Sequence, residues 1–79
     1  MMPRYYFNVA DGRSFRDPEG VELAGPEAAR EEAVRVLGEL LRDEPALFLE
    51  HELLELRVVP KNGDTIYRLV VVASNPRPH

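Results

Sequence analysis

Hydrophobic and polar residues alternate with a period of two from Arg4 to Ala10. The two faces of this segment carry Tyr5, Phe7 and Val9 on one side and Arg4, Tyr6 and Asn8 on the other. Such alternation, with aromatic and β-branched residues, is typical of a strand that is buried on one face. The sequence therefore predicts a first strand over residues 4–10.

Turn-forming residues follow this strand. Asp11-Gly12 predicts a hairpin turn, because glycine accepts a positive φ without steric cost. The predicted partner strand runs over residues 13–16, with Phe15 facing inward. Asp17-Pro18-Glu19-Gly20 predicts a second turn, because proline presets φ at its second position and glycine suits its end. Residues 21–23 form a short extended piece that can continue the edge strand.

The hydrophobic period lengthens to three and four residues after Gly25-Pro26. Proline is favoured at the first helical position, where its missing N–H removes no helical hydrogen bond. The apolar stripe consists of Ala29, Ala33, Val36, Leu37, Leu40 and Leu41. Pro45 disfavours helical geometry at the residue before it, so the helix is predicted to end near Asp43. Whether residues 45–50 form a short second helix capped by Asp43 is left open by the pattern.

Two further strands are predicted in the C-terminal half. Residues 52–59 alternate again, and residues 65–73 are apolar on both faces; Asn62-Gly63 marks the hairpin loop between them. The whole pattern predicts an α+β fold of the ββαββ type, an antiparallel sheet of about four strands with one long helix packed on one face. We expect a single domain over residues 1–73 and a flexible C-terminal tail over residues 74–79.

Composition narrows the possible functions. The chain of 79 residues has no cysteine, which excludes disulfides and thiolate metal sites. The formal net charge is −4, and the acidic excess lies in residues 26–51, so attraction to phosphate backbones is disfavoured. No apolar run approaches the ~20 residues that span a membrane, and no signal peptide is recognisable, so we expect a cytoplasmic protein without a membrane partner.

Candidate catalytic and metal-binding residues are few. The acidic residues Asp11, Asp17, Glu19 and Glu22 could in principle bind Ca²⁺ or Mg²⁺, but their spacing matches no calcium loop and suits turn chemistry. His51 has neither a cysteine nor a second histidine outside the tail to complete a zinc site or a catalytic triad. The sequence therefore predicts no catalytic site, no metal and no cofactor.

The face of the sheet turned away from the helix is the strongest functional clue. It should carry the candidate interface residues Arg4, Tyr6, Asn8, Arg57, Val59, Ile66, Arg68, Val70 and Val72, together with Leu53. A solvated sheet face is normally polar, whereas this one mixes apolar residues with arginines. An interface with a second copy or a small protein partner is favoured. A platform for single-stranded nucleic acid and an ordinary exposed face are the alternatives; Glu55 and the single aromatic residue Tyr6 disfavour the platform.

The N-terminal half resembles a family of small bacterial proteins of unknown function. Its members begin Met-Pro-Arg-Tyr-Tyr-Phe-His and continue with an Asp-Gly turn, an Asp-x-x-Gly-x-x-Leu segment and a helix with Glu-Ala steps. The matching residues are Pro3, Arg4, Tyr5, Tyr6, Phe7, Asp11, Gly12, Asp17, Gly20, Leu23, Ala28, Ala29, Glu32 and Ala33. Asn8 stands where the members commonly have histidine. The resemblance implies no activity.

A more distant similarity is to HicB-type antitoxins, which also run from two strands through a turn into an acidic helix. The comparable residues are Asp17, Pro18, Gly20, Gly25, Glu27, Ala28 and Ala33. This similarity implies an antitoxin-like or regulatory binder, and the acidic residues concentrated in residues 27–50 favour a basic protein partner for it. The residues themselves favour a small, non-enzymatic interaction module that is homodimeric; weak binding of single-stranded nucleic acid through the open sheet face is a further alternative.

Overall fold

An antiparallel sheet covered on one face by a long helix forms the body of the protein. The computed structural model describes residues 2–10, 14–15, 17–74 and 76. The elements are β1 Arg4–Ala10, β2 Ser14–Phe15, β3 Val21–Glu22, α1 Pro26–Asp43, α2 Pro45–His51, β4 Leu53–Pro60 and β5 Tyr67–Val72. The predicted ββαββ fold is confirmed, with a short strand β3 and a short helix α2 added to it.

The strand order, which the sequence pattern did not provide, is β2-β1-β4-β5. All pairings are antiparallel. The short strands β2 and β3 both pair with the edge of β1 that is opposite β4. Strand β2 pairs at Val9 and Ala10, and β3 pairs at Arg4 and Tyr5. The helical crossover between β3 and β4 brings the chain back to the other side of β1. The sheet therefore has β1 and β4 at its centre and β5 along one edge.

The hydrophobic core lies between α1 and the inner face of the sheet. Its buried members are Tyr5, Phe7, Val9, Ala29, Ala33, Leu37, Leu54, Leu56 and Val58. Ala29 and Ala33 are fully buried, and their small side chains let the helix backbone approach the sheet. Val36, Leu40 and Leu41 pack against this core from its border, so the predicted apolar stripe of the helix is confirmed.

The junction between the two helices resolves the question left open at Pro45. Helix α1 ends at Asp43 as predicted, and Pro45 begins α2. Of the alternatives left open, the short helix is present but is not capped by Asp43, since the residue before α2 is Glu44 and no side-chain hydrogen bond caps that end. At the other end of α2, Glu52 adopts a left-handed conformation with φ 57°. This turn redirects the chain into β4, which consequently begins at Leu53.

The second hairpin differs from its predicted boundaries. Its loop covers residues 61–66, so that β5 begins at Tyr67 instead of residue 65 and ends at Val72. The loop is closed by the Gly63 N–H, which donates to the Pro60 carbonyl at 3.4 Å, and by the Ile66 N–H, which donates to the Val58 carbonyl at 2.9 Å. Because these bonds span more than the Asn-Gly pair, the connection is longer than a two-residue turn.

Some predictions concern positions that the structure does not describe. They are the Asp11-Gly12 turn, the outer ends of the strand predicted over residues 13–16, the inward orientation of Phe15, the surroundings of His51 and most of the tail. Within the described ranges, no helix combines the length and apolar character needed to cross a membrane.

Candidate interaction surface

The outer face is the surface of β1, β4 and β5 that points away from α1. We use this name for Arg4, Tyr6, Asn8, Leu53, Glu55, Arg57, Val59, Arg68, Val70 and Val72; the predicted interface residue Ile66 precedes β5, in the loop of residues 61–66. Along β1 the burial alternates residue by residue, with Tyr5, Phe7 and Val9 buried between more exposed neighbours. This alternation places the side chains predicted for the interface together on one surface.

The strand register arranges the outer face in rows that run across the strands. Asn8 lies opposite Arg57, and Arg57 lies opposite Arg68, so a polar row crosses all three long strands. The next rows bring Glu55 opposite Val70, and Leu53 opposite Val72. The outer face is consequently polar at its middle and apolar toward the C-terminal end of β5.

A single carboxylate holds the two opposed arginines together. Glu55 Oε1 lies 3.3 Å from Arg57 Nη2, and Glu55 Oε2 lies 3.4 Å from Arg68 Nε. Like charges directly opposite each other on neighbouring strands destabilise a sheet. Glu55, whose side chain is only 17% exposed, offsets this repulsion, while Arg57 and Arg68 remain half or more exposed. One carboxylate therefore neutralises half of the positive charge that the two arginines bring to this row.

Asp17 ties the turn after β2 to the outer edge of β1. Its Oδ1 accepts the N–H groups of Glu19 at 3.2 Å and Gly20 at 3.1 Å, and its Oδ2 accepts the Phe7 N–H at 3.3 Å. The Asp17 N–H donates in return to Asn8 Oδ1 at 3.0 Å. The Asp17 carboxylate thus bonds to the edge of β1 between β2 and β3, and the Asn8 side chain holds Asp17 there. Asn8, a predicted interface residue, has a structural role in this arrangement.

Arg4 is also engaged at this edge. Its Nη1 donates to the Glu19 carbonyl at 2.7 Å, and its Nη2 lies 3.2 Å from Glu22 Oε2. Because Glu22 pairs opposite Arg4 in the β1–β3 register, the ion pair reinforces the short strand. The charge of Arg4 is therefore partly neutralised, as are those of the other two arginines on the outer face.

Gly20 packs closely against Tyr6. Its φ is +74°, and a Cβ atom at this position would lie 2.9 Å from Tyr6 Cε2 and 2.9 Å from the Tyr5 carbonyl oxygen. Glycine is required here for both its conformation and its size. The turn partly covers the Tyr6 ring, and the ring is consequently half-buried instead of fully available for stacking on a base.

An apolar patch occupies the part of the outer face near the C-terminal end of β5. It consists of Leu53, Val70 and Val72, which are 44%, 50% and 62% exposed. A separate open groove of about 550 Å³ lies at the start of β5, lined by Arg57, Thr65, Ile66, Tyr67 and Arg68. The patch is the part of the outer face that is both apolar and uncovered.

The acidic residues of the N-terminal turns do not converge. Asp17 is bonded to backbone N–H groups and Glu22 to Arg4, while Asp11 is outside the described residues. In the part of the chain that the structure describes, no three His, Cys, Asp or Glu side chains are grouped as a metal site would require.

Two features of the surface were missed by sequence reasoning. Asp17 was interpreted as a turn residue, and its bond to the Phe7 N–H depends on the position of the turn beside β1. The double role of Glu55 likewise depends on the β4–β5 register. Its sequence signal was the Glu-x-Arg spacing of Glu55 and Arg57, which places opposite charges two residues apart on one strand face.

The chain belongs to a domain family of unknown function, DUF6894, whose family model matches residues 4–72. The match begins at the first residue of β1 and ends at the last residue of β5, so it includes the whole sheet. No curated protein matches the chain, and no solved structure matches it. The family match confirms the expectation of a family without known function and gives nothing on a relation to HicB-type antitoxins.

Proposed function

We propose that this member of the DUF6894 family is a small, non-enzymatic protein-interaction module that forms homodimers. The apolar patch on the outer face carries the proposal, because Leu53, Val70 and Val72 remain 44–62% exposed on a sheet whose opposite face packs against the core. Contiguous exposed apolar residues rimmed by polar ones are typical of protein contact sites. Small domains also commonly gain stability from oligomerisation.

The charge distribution supports a protein partner over a nucleic acid. Arg4 is paired with Glu22, and Arg57 and Arg68 share Glu55, so these three arginines of the outer face keep one net positive charge for phosphate groups. Binding of single-stranded nucleic acid depends on such cations and on exposed aromatic rings. Tyr6 is half-buried against Gly20. These contacts give less support to a nucleic-acid platform than to a protein interface.

A substitution in the apolar patch tests the proposal. We expect the wild-type chain to show a dimer mass that falls with dilution, when measured by light scattering after size exclusion. Val72→Lys should weaken self-association at least tenfold, because it places a charge in the apolar contact. Val34→Lys is the matched control, since Val34 is similarly exposed, at 57%, but lies on α1.

Two outcomes would contradict the proposal. A wild-type chain that stays monomeric up to several hundred micromolar would remove the homodimer. Equal weakening by Val72→Lys and Val34→Lys would move the contact away from the outer face. Circular dichroism of each variant establishes that the fold is retained before masses are compared.

A basic protein partner bound by α1 is the second candidate. The observation that favours it is the exposed acidic surface of α1, where Glu27, Glu31 and Glu39 are exposed while Arg35 and Arg42 are paired with neighbouring acids. Affinity capture with the wild-type chain, compared with the charge-reversed E27K/E31K chain, separates it from the first candidate. A partner retained by both chains would contradict the acidic-helix mode.

A further inference from the structure

The two edges of the sheet are built differently. On the β1 side, β2 and β3 are each two residues long, and the Asp17 carboxylate accepts the Phe7 N–H between them. Short strands, a proline-containing turn and a side chain bonded to the edge are devices that block edge-to-edge pairing. On the β5 side, among the described residues, no strand pairs with the outer side of Tyr67–Val72.

The register shows which backbone groups of β5 are available. The Ala73 N–H donates to the Glu52 carbonyl at 3.0 Å, and the β4–β5 pairs continue this register from Leu53↔Val72 to Val58↔Tyr67. Backbone groups alternate in direction along an antiparallel strand. Those of the odd-numbered residues of β5 therefore face β4, and those of Arg68, Val70 and Val72 point outward.

We infer that β5 pairs antiparallel with β5 of a second copy, around a two-fold axis at Val70. This inference rests on the homodimer proposed above and places its contact at the edge of the apolar patch: the side chains of Val70 and Val72 would lie beside those of the second copy, while Leu53 on β4 would stay on the surface. Val70 would exchange two main-chain hydrogen bonds with Val70 of the second copy, and Arg68 would do so with Val72. The two sheets would join into one, with both helices α1 on the same side and both outer faces forming one continuous surface.

The side chains of β5 favour a second copy in this register. Arg68 would lie opposite an apolar residue, Val72, and about 14 Å along the strand from Arg68 of the second copy, four residues at about 3.4 Å each. A register in which the two-fold axis lies at Arg68 would place the two guanidinium groups directly opposite each other, which destabilises a sheet. A pair centred on Leu69 would set them diagonally at roughly 8 Å. The Val70 register keeps like charges farthest apart among these three.

The Val70 register predicts that a negative charge at position 72 strengthens the dimer, whereas a face-to-face dimer does not predict this. Val72→Glu would place a carboxylate opposite Arg68 of the second copy at two symmetry-related positions. Cross-strand opposite charges stabilise pairing, so we expect the dimer to tighten by roughly 2- to 30-fold relative to Val72→Gln. The gain should disappear in the Arg68→Gln background. If Val72→Glu weakens the dimer relative to Val72→Gln, as Val72→Lys is expected to do, the inference is overturned.

Single cysteines provide a second, independent measurement, because the chain has no cysteine of its own. Val70→Cys would bring two Cα atoms to about 5.5 Å, within the range for a disulfide, whereas Val72→Cys would leave its two copies far apart. Under mild oxidation we expect covalent dimers from Val70→Cys and at least tenfold fewer from Val72→Cys. A wild-type dimer in which neither cysteine, or both equally, cross-links would overturn the β5 pairing while leaving the homodimer proposal intact. A monomeric wild type would overturn both.

Discussion

At the scale of single residues, Asp17 shows how one side chain replaces part of a strand. The ladder beside β1 is interrupted between β3 and β2, and the Phe7 N–H at the interruption would otherwise lack a backbone partner from these strands. Asp17 supplies a carboxylate oxygen to it at 3.3 Å while its other oxygen closes the turn. Buried or half-buried N–H groups without a partner are costly, which gives this residue a structural role larger than that of an ordinary turn aspartate.

Replacing Asp17 by asparagine tests this role. Whichever way the amide is oriented, either the Phe7 N–H or the turn N–H groups lose their acceptor. We expect Asp17→Asn to lower the free energy of unfolding by about 1–2 kcal/mol in urea denaturation. Glu19→Gln, in the same turn but exposed, should change it by less than about 0.5 kcal/mol. Equal stability of Asp17→Asn and the wild type would show that the Phe7 contact contributes nothing.

At the scale of elements, the short helix α2 is positioned by its neighbours. Pro45 starts it, and the left-handed Glu52 ends it one residue before β4. Its Phe48 packs against the border of the core, and the Glu52 N–H donates to the Phe48 carbonyl. A helix of seven residues is too short to be stable alone, so these tertiary contacts hold it in place.

The conformation of Glu52 gives a stabilising substitution. Left-handed backbone costs a non-glycine residue roughly 1 kcal/mol, and glycine is the usual residue at this place after a helix. We expect Glu52→Gly to raise the free energy of unfolding by about 0.5–1 kcal/mol, measured by thermal denaturation. Glu44, which follows α1 with φ −131°, is the control, and its change to glycine should be neutral or destabilising. A loss of stability in Glu52→Gly would contradict the argument.

At the scale of the whole molecule, the core is small and centred on β4. Leu54, Leu56 and Val58 are almost fully buried between α1 and the strands that flank β4. Arg30 on α1 lies over the Tyr67 ring at 5.1 Å from its centroid and links the helix to β5 as well. With so few buried side chains, each one contributes a large share of a total stability of about 4–12 kcal/mol.

Truncation at the centre of this core measures that share. Leu56→Ala should lower the free energy of unfolding by about 2–5 kcal/mol, because it removes apolar contacts and leaves a cavity at a fully buried site. Leu49→Ala is the matched control, since Leu49 is 62% exposed on α2 and should lose less than about 0.5 kcal/mol. A comparable loss in both variants by urea denaturation would contradict the central position of Leu56.

The elements themselves were largely predictable from the sequence. The first strand and the long helix have the predicted boundaries, because the period of two from Arg4 to Ala10 and the proline residues at 26 and 45 are local signals. The starts of β4 and β5 differ from the predicted ones, because Glu52 and the loop of residues 61–66 obtain their conformations from backbone bonds that bridge separate segments. The outer-face set was predictable for the same local reason, since side chains alternate along each strand.

Local pattern alone determined which segments become strands and helices and which side of each strand is apolar, because periodicity depends only on neighbours along the chain. The order of the strands, the Asp17 bond to β1, the pairing of Glu55 with two arginines and the open edge at β5 were decided by the tertiary structure. Each of these joins residues from different elements, and the contact energies that select them exist only after the crossover through α1 and α2 has placed β4 between β1 and β5.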